Sequence, residues 1–412
     1  MTSDRAYVWT WLPGATVPVV CGVVTQVGSE LRFAYGKSYL ARPDAITLQP
    51  EGLELQTGNQ RPPPGLDAPG VIRDAAPDSW GMQVILRRVV GSGAEDTNEL
   101  PLLSYLTESG SNRVGALDVQ ASPTHYVPRN THGTLDEIVH AGNRLAEGIP
   151  FSAEVDDVLT YGSAVGGARP KALIGNDHDA QHRELIAKFS VSTDTYPWEQ
   201  AEAIGMELAR RCGVRAATTT LTRADGRDVL LVERFDRLGD GTRRSVLSGL
   251  TLLGLHELAS RHGTYVQMAE LIRLRFTDPD ATLRELFTRI AVNVLVGNTD
   301  DHPRNLAAFW DGTHLELTPA YDVCPQPRST GETYQAMAYG PEGQRRARLD
   351  DLASAAGTYH LTSNQTADII ERCTAVVTGD FHDVCATLAV DELTRELLWE
   401  RSVANPSVFY PA

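Results

Sequence analysis

The chain has 412 residues, room for two or three domains and a sizeable core. Its apolar fraction of 42% and charged fraction of 22% are those of an ordinary globular protein, and no apolar run reaches the roughly 18 residues of a membrane span. Lys and Arg number 37 against 53 Asp and Glu, a formal charge of −16, which argues against direct nucleic-acid binding, since that binding draws its strength from neutralised phosphates.

The N-terminal MTSDRAYVWTW lacks the basic start and apolar core of a secretory signal. Five cysteines (Cys21, Cys212, Cys324, Cys373, Cys385) are far apart and never in CxxC, so neither a disulfide framework nor a zinc cage is supported. The expectation is a cytoplasmic protein without a membrane partner. RRAR at Arg345 to Arg348 is the one candidate basic patch; it also reads as a solvated helix start.

In chain order, YVWTWL, VPVVCGVVT and LRFAY read as strands, broken by Pro13-Gly14 and Gly28-Ser29. The connector NQRPPPGLDAPG can be neither helix nor central strand. Pro77-Asp78-Ser79 offers an N-cap for a helix through WGMQVILRRVV, ELPLLSYL reads as a second helix, and Thr134 caps a third. Nothing before residue 150 gathers a chemical constellation.

From residue 160 the character changes. YGSAVGGARPKALIG is a glycine-bearing loop entering a strand, and RELIAKFSV is a second strand centred on Lys188. Gly166 and Gly167 would let backbone approach phosphates, with Lys171 adding charge. It is not a Walker A loop, because Ala168 stands where the lysine must be. A strand lysine can also sit at an edge with its ammonium in water, and glycine loops are often only turns. The helix WEQAEAIGMELARRC carries Glu202 and Glu207, either of which could pair with Lys188 or stay solvated. A hairpin around Asp225-Gly226 then runs into Glu233-Arg234-Phe235-Asp236, where a chain crossing between lobes could offer backbone groups to a purine.

ATLRELFTRIAVNVLVGN has apolar residues at helical spacing and delivers the chain to Asn298. In Asn298 to Asp322, NTDDHPRNLAAFWDGTHLELTPAYD, Asp300 and Asn305 stand five apart, the spacing of the kinase catalytic-loop Asp and Asn. A hairpin around Asp311-Gly312 brings Asn305 and Asp322 to one side, as two oxygen ligands for a hard divalent cation. Asp300 is left to act on a hydroxyl. The same residue types serve ordinary loops, and Asp300, Asp301, His302 and Asp322 could instead form the ligand set of a metal-dependent phosphohydrolase. Helices are expected from Arg345, Ser363 and Asp391.

Four segments, GGARPKALI, VERFDR, NTDDHPRN and TPAYDV, together with RFAYGKSYL and APDSWG nearer the N-terminus, resemble the HipA family of serine/threonine kinase toxins over nearly the whole chain. The resemblance implies an α+β, two-lobed protein-kinase-like fold. It would comprise a β-rich N-terminal domain (1–118), a kinase N-lobe (119–236) and a helical catalytic C-lobe (237–412). Asp300 would be the catalytic base, with His302 bracing the loop. Asn305 and Asp322 would hold Mg²⁺ on ATP. Lys188, Lys171, Gly166, Gly167 and Ala168 would lie at the ATP phosphates, and the Glu233 to Phe235 backbone would take the adenine. The partners implied are a HipB-like helix-turn-helix antitoxin, which would carry the DNA contact, and a protein substrate such as an aminoacyl-tRNA synthetase. A catalytically silent co-repressor is the non-enzymatic alternative. Family members commonly autophosphorylate a serine two residues before the first glycine; Ala164 stands there in this chain, with Ser163 one residue earlier. A one-residue slip moves a hydroxyl by about 3.5 Å and reverses its face, so loss of this off-switch is the expectation.

Overall fold

A computed structural model describes residues 4–91, 94, 96–130, 134–146, 169–175, 184–191, 194–328 and 331–410. The loop with Ser163, Gly166, Gly167 and Ala168 lies outside the described residues. The chain divides into two compact units. Unit 1 is Met1–Asp194, Thr222–Leu247 and Phe309–Thr313; unit 2 is Thr195–Leu221, Ser248–Ala308 and His314–Ala412.

Unit 1 opens with an antiparallel sheet of β1 (Arg5–Thr10), β2 (Val19–Val27), β3 (Glu30–Tyr35) and β4 (Leu117–Gln120), in the order β3-β2-β1-β4. Period-two alternation in β3 buries Leu31, Phe33 and Tyr35 on one face. Between β3 and β4 come α1 (Ser79–Val89), capped by Asp78 as the sequence suggests, and α2 (Leu102–Glu108). β4 runs through residue 118 and belongs to this first sheet.

A second sheet has the order β5-β6-β8-β7, from β5 (Lys171–Gly175), β6 (Glu184–Phe189), β7 (Thr219–Ala224) and β8 (Arg227–Glu233). The Asp225-Gly226 turn has φ of 46° and 71°, the positive pair that a two-residue hairpin demands. α3 (Leu135–Ala146) packs Ile138 and Val139 against Ala172, Ala187, Phe189 and Val229.

A buried ionic network runs through unit 1. Arg113 has no exposed surface; it donates to Asp118 at 2.9 Å, to the Ser109 hydroxyl at 2.8 Å and to the Ala75 carbonyl at 2.9 Å. Arg234 pairs with Asp236 at 2.8 Å and donates to the Asn112 side-chain oxygen at 2.8 Å and the Arg113 carbonyl at 2.6 Å. Burial opposes the Asp236 charge, but the Arg234 and Arg237 guanidiniums outweigh it and hold the carboxyl well below its usual range. Residues 233–237 therefore sit wholly within unit 1. One of the places where the chain passes from unit 1 to unit 2 is Leu247–Ser248, inside β9 (Ser245–Ser248).

Unit 2 is built of helices around α6. Besides the short helix Gly249–Leu252, its described helices are α4 (Trp198–Arg211), α5 (Tyr265–Arg275), α6 (Pro279–Val296), α7 (Leu349–Ser354), α8 (Ser363–Thr387) and α9 (Glu392–Arg401). α6 is apolar nearly all round, and α4, α5 and α8 pack against it. The expected hairpin is β10 (Ala307–Trp310) with β11 (Leu315–Leu317). One helix start differs. Residues 345–348 run extended, with Arg346 bridging Tyr334 and the Ala347 amide donating to Thr333 O at 2.8 Å; the helix begins at Leu349. Arg348 is buried and donates to the Tyr410 carbonyl, so RRAR is a rung between segments and not a solvated helix turn.

Arg113→Met leaves the Asp118 charge buried with a weaker partner set. It is expected to cost about 3–5 kcal/mol, read as a lower midpoint in urea. A change under about 1 kcal/mol would mean that water replaces the network.

Candidate active site

α6 ends at Gly297, and the next eight residues, Asn298 to Asn305, form a loop tied to itself. The His302 amide donates to the Asp300 carbonyl at 2.9 Å, and the Asn305 amide donates to the His302 carbonyl at 2.8 Å. The Asn305 side-chain amide donates to the Asp300 carbonyl at 3.3 Å. That use of Nδ2 leaves Oδ1 as the acceptor end of the amide. Pro303 sets φ for the short 3₁₀ turn Pro303–Asn305. His302 thus braces the loop through its backbone.

Asp301, beside Asp300, is the anchor. It accepts hydrogen bonds from the Tyr265 hydroxyl and from the Asn293 amide, the latter at 2.8 Å. Asn298 donates to Asn293 Oδ1 at 3.0 Å, extending the knot to the start of the loop. Burial pushes the Asp301 carboxyl up to about 6 against the opposing pull of Tyr265, His302, Arg289 and Asn293. Its carboxylate is turned inward, so it is not available to a metal cluster with Asp300 and Asp322. Sequence reading missed Tyr265 and Asn293. The available signal was an asparagine in the apolar run of α6, a position that demands a polar partner.

Asp322 reaches the same region on a second arm. The Thr318 amide donates to Ala307 O at 3.0 Å, closing the hairpin, and Ala320 pairs with Ala216 in a parallel bridge. The Tyr321 hydroxyl donates to the Arg304 carbonyl at 2.7 Å, joining this arm to the loop. Asp322 sits at φ 61°, the left-handed region that aspartate tolerates better than most residues. Burial raises the Asp300 carboxyl pKa, the nearby Asp322 charge raises it further, and His302 opposes both. Two carboxylates that disturb each other, with an asparagine between them on the loop, make an oxygen-only donor set. Oxygen donors are what a hard cation takes, and Asn305 and Asp322 are the residues that could hold one. A cavity of about 10 Å³ beneath the loop, touching Asn293, Asp301, Asn305 and Tyr321, is at the lower limit for one water and far too small for a nucleotide.

Two close approaches position these arms. A Cβ on Gly249 would stand 2.5 Å from Pro303 O, and one on Gly205 of α4 would stand 2.1 Å from Val323 O, next to Asp322. On the same helix Glu207 pairs with Arg210 at 2.6 Å and with Arg211 at 3.0 Å, and Glu202 is buried.

The remaining expected residues belong to unit 1. Lys171 and Lys188 are register partners on β5 and β6, so their side chains share one face; Lys171 is only 3% exposed and Lys188 is half-buried. Glu233 ends β8, and the Phe235 ring meets Phe309 edge-on at 5.7 Å. The structure therefore gathers Asp300, His302, Asn305 and Asp322 in unit 2 and the two lysines with the Glu233–Phe235 segment in unit 1.

Asp301→Ala strands two buried donors, and we expect a stability loss of about 2–4 kcal/mol in denaturant titration. Asp300→Ala is expected to leave the midpoint nearly unchanged. The Asp301 carboxyl has a higher pKa folded (about 6) than unfolded (3.8), so the folded state binds more protons between those values. This group's contribution to stability therefore rises as pH falls from 7 towards 4, and Asp301→Asn should abolish that dependence.

Comparison with known proteins completes the assignment. Residues 163–380 match the model of the HipA-like C-terminal domain. Toxin YjjJ of Escherichia coli (strain K12) is 26% identical over 180 residues, 41% of this chain and 40% of that protein. A putative kinase, Y4mE of Sinorhizobium fredii, is 29% identical over 146 residues, 34% of this chain and 33% of that protein. The chain thus spans well under half the length of these two relatives. The solved HipA of Shewanella oneidensis MR-1, in complex with HipB and its operator DNA, superposes with a TM-score of 0.67 at 16% identity, covering 95% of this chain and 94% of that one. At that identity the likeness concerns the fold, and it agrees with the α+β, kinase-like architecture. With more than half of its length inside the matched domain, the chain belongs to the HipA-like family.

Proposed function

We propose that the chain is an ATP- and Mg²⁺-dependent protein serine/threonine kinase acting as a growth-arresting toxin. The observation that carries this reading is the loop geometry: Asp300 within electrostatic reach of Asp322, on a loop whose Asn305 is braced against Asp300 and whose Asp301 is spent on anchoring. In the reaction, the Asp300 carboxylate accepts the proton of a Ser or Thr hydroxyl. The hydroxyl oxygen bonds to the γ-phosphorus as the bond from phosphorus to the ADP oxygen breaks. Asn305 and Asp322 hold Mg²⁺, which when bound neutralises phosphate charge. Lys171 and Lys188 supply positive charge to the phosphates, and the Glu233 to Phe235 backbone receives the adenine. The phosphohydrolase alternative loses a ligand with Asp301, and the silent co-repressor leaves Asp300 without a task.

The names of the relatives, a toxin and a putative kinase, support the same reading. The HipB bound to the Shewanella oneidensis protein supports a HipB-like antitoxin as partner, and the charge of −16 favours DNA contact through that partner. The substrate class we propose is a translation protein such as an aminoacyl-tRNA synthetase.

The test is incubation of the purified chain with γ-labelled ATP, Mg²⁺ and a cell lysate. Label should pass to protein, and Asp300→Ala should reduce transfer at least about a hundredfold. ATP binding without any transfer would sink the kinase in favour of the co-repressor. Since the base works deprotonated and its pKa is raised, activity should be lost as pH falls through a value above the ordinary 3.8, and His302→Gln should move that limb higher. Mass spectrometry after ATP incubation should find Ser163 unmodified; a stoichiometric phosphoserine there would restore the off-switch in a shifted register.

A further inference from the structure

The lysine of β5 is held by a part of unit 1 more than ninety positions earlier in the chain. The Asp78 carboxylate, at the N-cap of α1, lies 3.9 Å from Lys171 Nζ, with side-chain exposures of 9% and 4%. Two residues on, the Trp80 indole N–H donates to the Lys171 carbonyl at 3.1 Å in a buried hydrogen bond. One helix start therefore grips Lys171 at both its backbone and its ammonium.

The electrostatics explain why a carboxylate stands there. Lys171 faces Lys188 directly across the strand pair, and like charges in that relation are destabilising. The N-terminus of α1, an eleven-residue helix, adds a positive dipole end close to the same ammonium. Burial further disfavours the charged form. The Lys171 ammonium thus stands near a like charge and a positive dipole end, and Asp78 is a negative charge beside it. At 3.9 Å the contact is an ion pair without a hydrogen bond, so it orients the ammonium without locking it. Asp78 also accepts from the Gly81 amide at 3.4 Å, which fixes the carboxylate to the helix start.

We propose that Asp78 is a positioning residue for nucleotide binding. It keeps Lys171 charged and aimed for the phosphates of ATP, in the role that a helix glutamate plays for the strand lysine of other kinases. This rests on the proposed kinase reading of Lys171. It also gives the otherwise silent APDSWG segment a task in the chemistry.

The experiment uses the full chain and a non-hydrolysable ATP analogue with Mg²⁺, measured by calorimetry. Asp78→Asn is the informative variant, because asparagine caps a helix as well as aspartate does and removes only the charge. Affinity is expected to fall at least about tenfold, from losing one partner of a desolvated charge pair, with Asp78→Glu recovering part of the loss. KM for ATP should rise more than kcat falls. In a Lys171→Met background Asp78→Asn should produce no further loss. Unchanged affinity in Asp78→Asn, or an equal loss when Lys171 is already absent, overturns the proposal. Trp80→Phe, which removes the indole donor, is the second variant; weakened binding supports the grip on Lys171, and full affinity counts against it. Wild-type protein that binds no analogue removes the nucleotide site itself, a result distinct from a binding wild type with an indifferent Asp78→Asn.

Discussion

The Asp301 carboxylate buried against Tyr265 and Asn293 is the constraint on which unit 2 depends. α6 and α5 each contribute one of those partners, so the loop after α6 is tied to two helices. A loop held only by its own backbone turns would have several arrangements of similar energy. A buried carboxylate admits few, because each lost partner costs on the order of 1–3 kcal/mol. With Asp301 fixed, Asp300 one residue before it is pushed to the outer side, exposed and near Asp322. Adjacent aspartates thus divide the work by the side of the loop on which each falls. The inner one supplies rigidity, and the outer one is left facing Asp322.

Unit 1 solves a related problem with more charges. Arg113, Arg234 and Arg237 are enclosed with Asp118 and Asp236, and each guanidinium also meets carbonyl oxygens. Such networks seldom add much net stability over apolar packing, but they tolerate no rearrangement. The Arg113 carbonyl accepts from both Arg234 and Arg237, so the loop before β4 and the segment after β8 have one fixed relation. The segment that contains Glu233 and Phe235 is held from beneath by this arrangement.

Much of this was legible in the residues, for identifiable reasons. The first three strands, the Asp78 and Thr134 caps, the Asp225-Gly226 hairpin and the Asn298 to Asp322 arrangement all follow from local chemistry, where period, cap and turn residues agree. RRAR misled because three arginines beside a helix resemble a solvated first turn, while Arg348 is in fact buried through a pairing some sixty residues away. The setting of residues 233–237 was hidden for a similar reason: a hairpin end next to charged residues looks like a connector, and only the partners from residues 112–115 reveal it as interior. Tyr265 and Asn293 were invisible because their importance lies in converging on one oxygen, and convergence leaves little pattern in a linear string.

Asp322 shows how the conformational and chemical demands meet in one residue. Its φ of 61° would suit glycine best, and a side chain there carries a conformational cost on the order of 1 kcal/mol. The segment before it is fixed on both sides, by the bridge to Ala216 and the Tyr321 bond to Arg304, and Gly205 lets α4 press against Val323 immediately after. The backbone therefore has no freedom to relax into an extended form. Glycine would remove the strain and also remove the charge that raises Asp300. Asparagine would accept the backbone but lose the charge. Among the residues that enter the left-handed region readily, aspartate alone keeps both this backbone and the charge that raises Asp300.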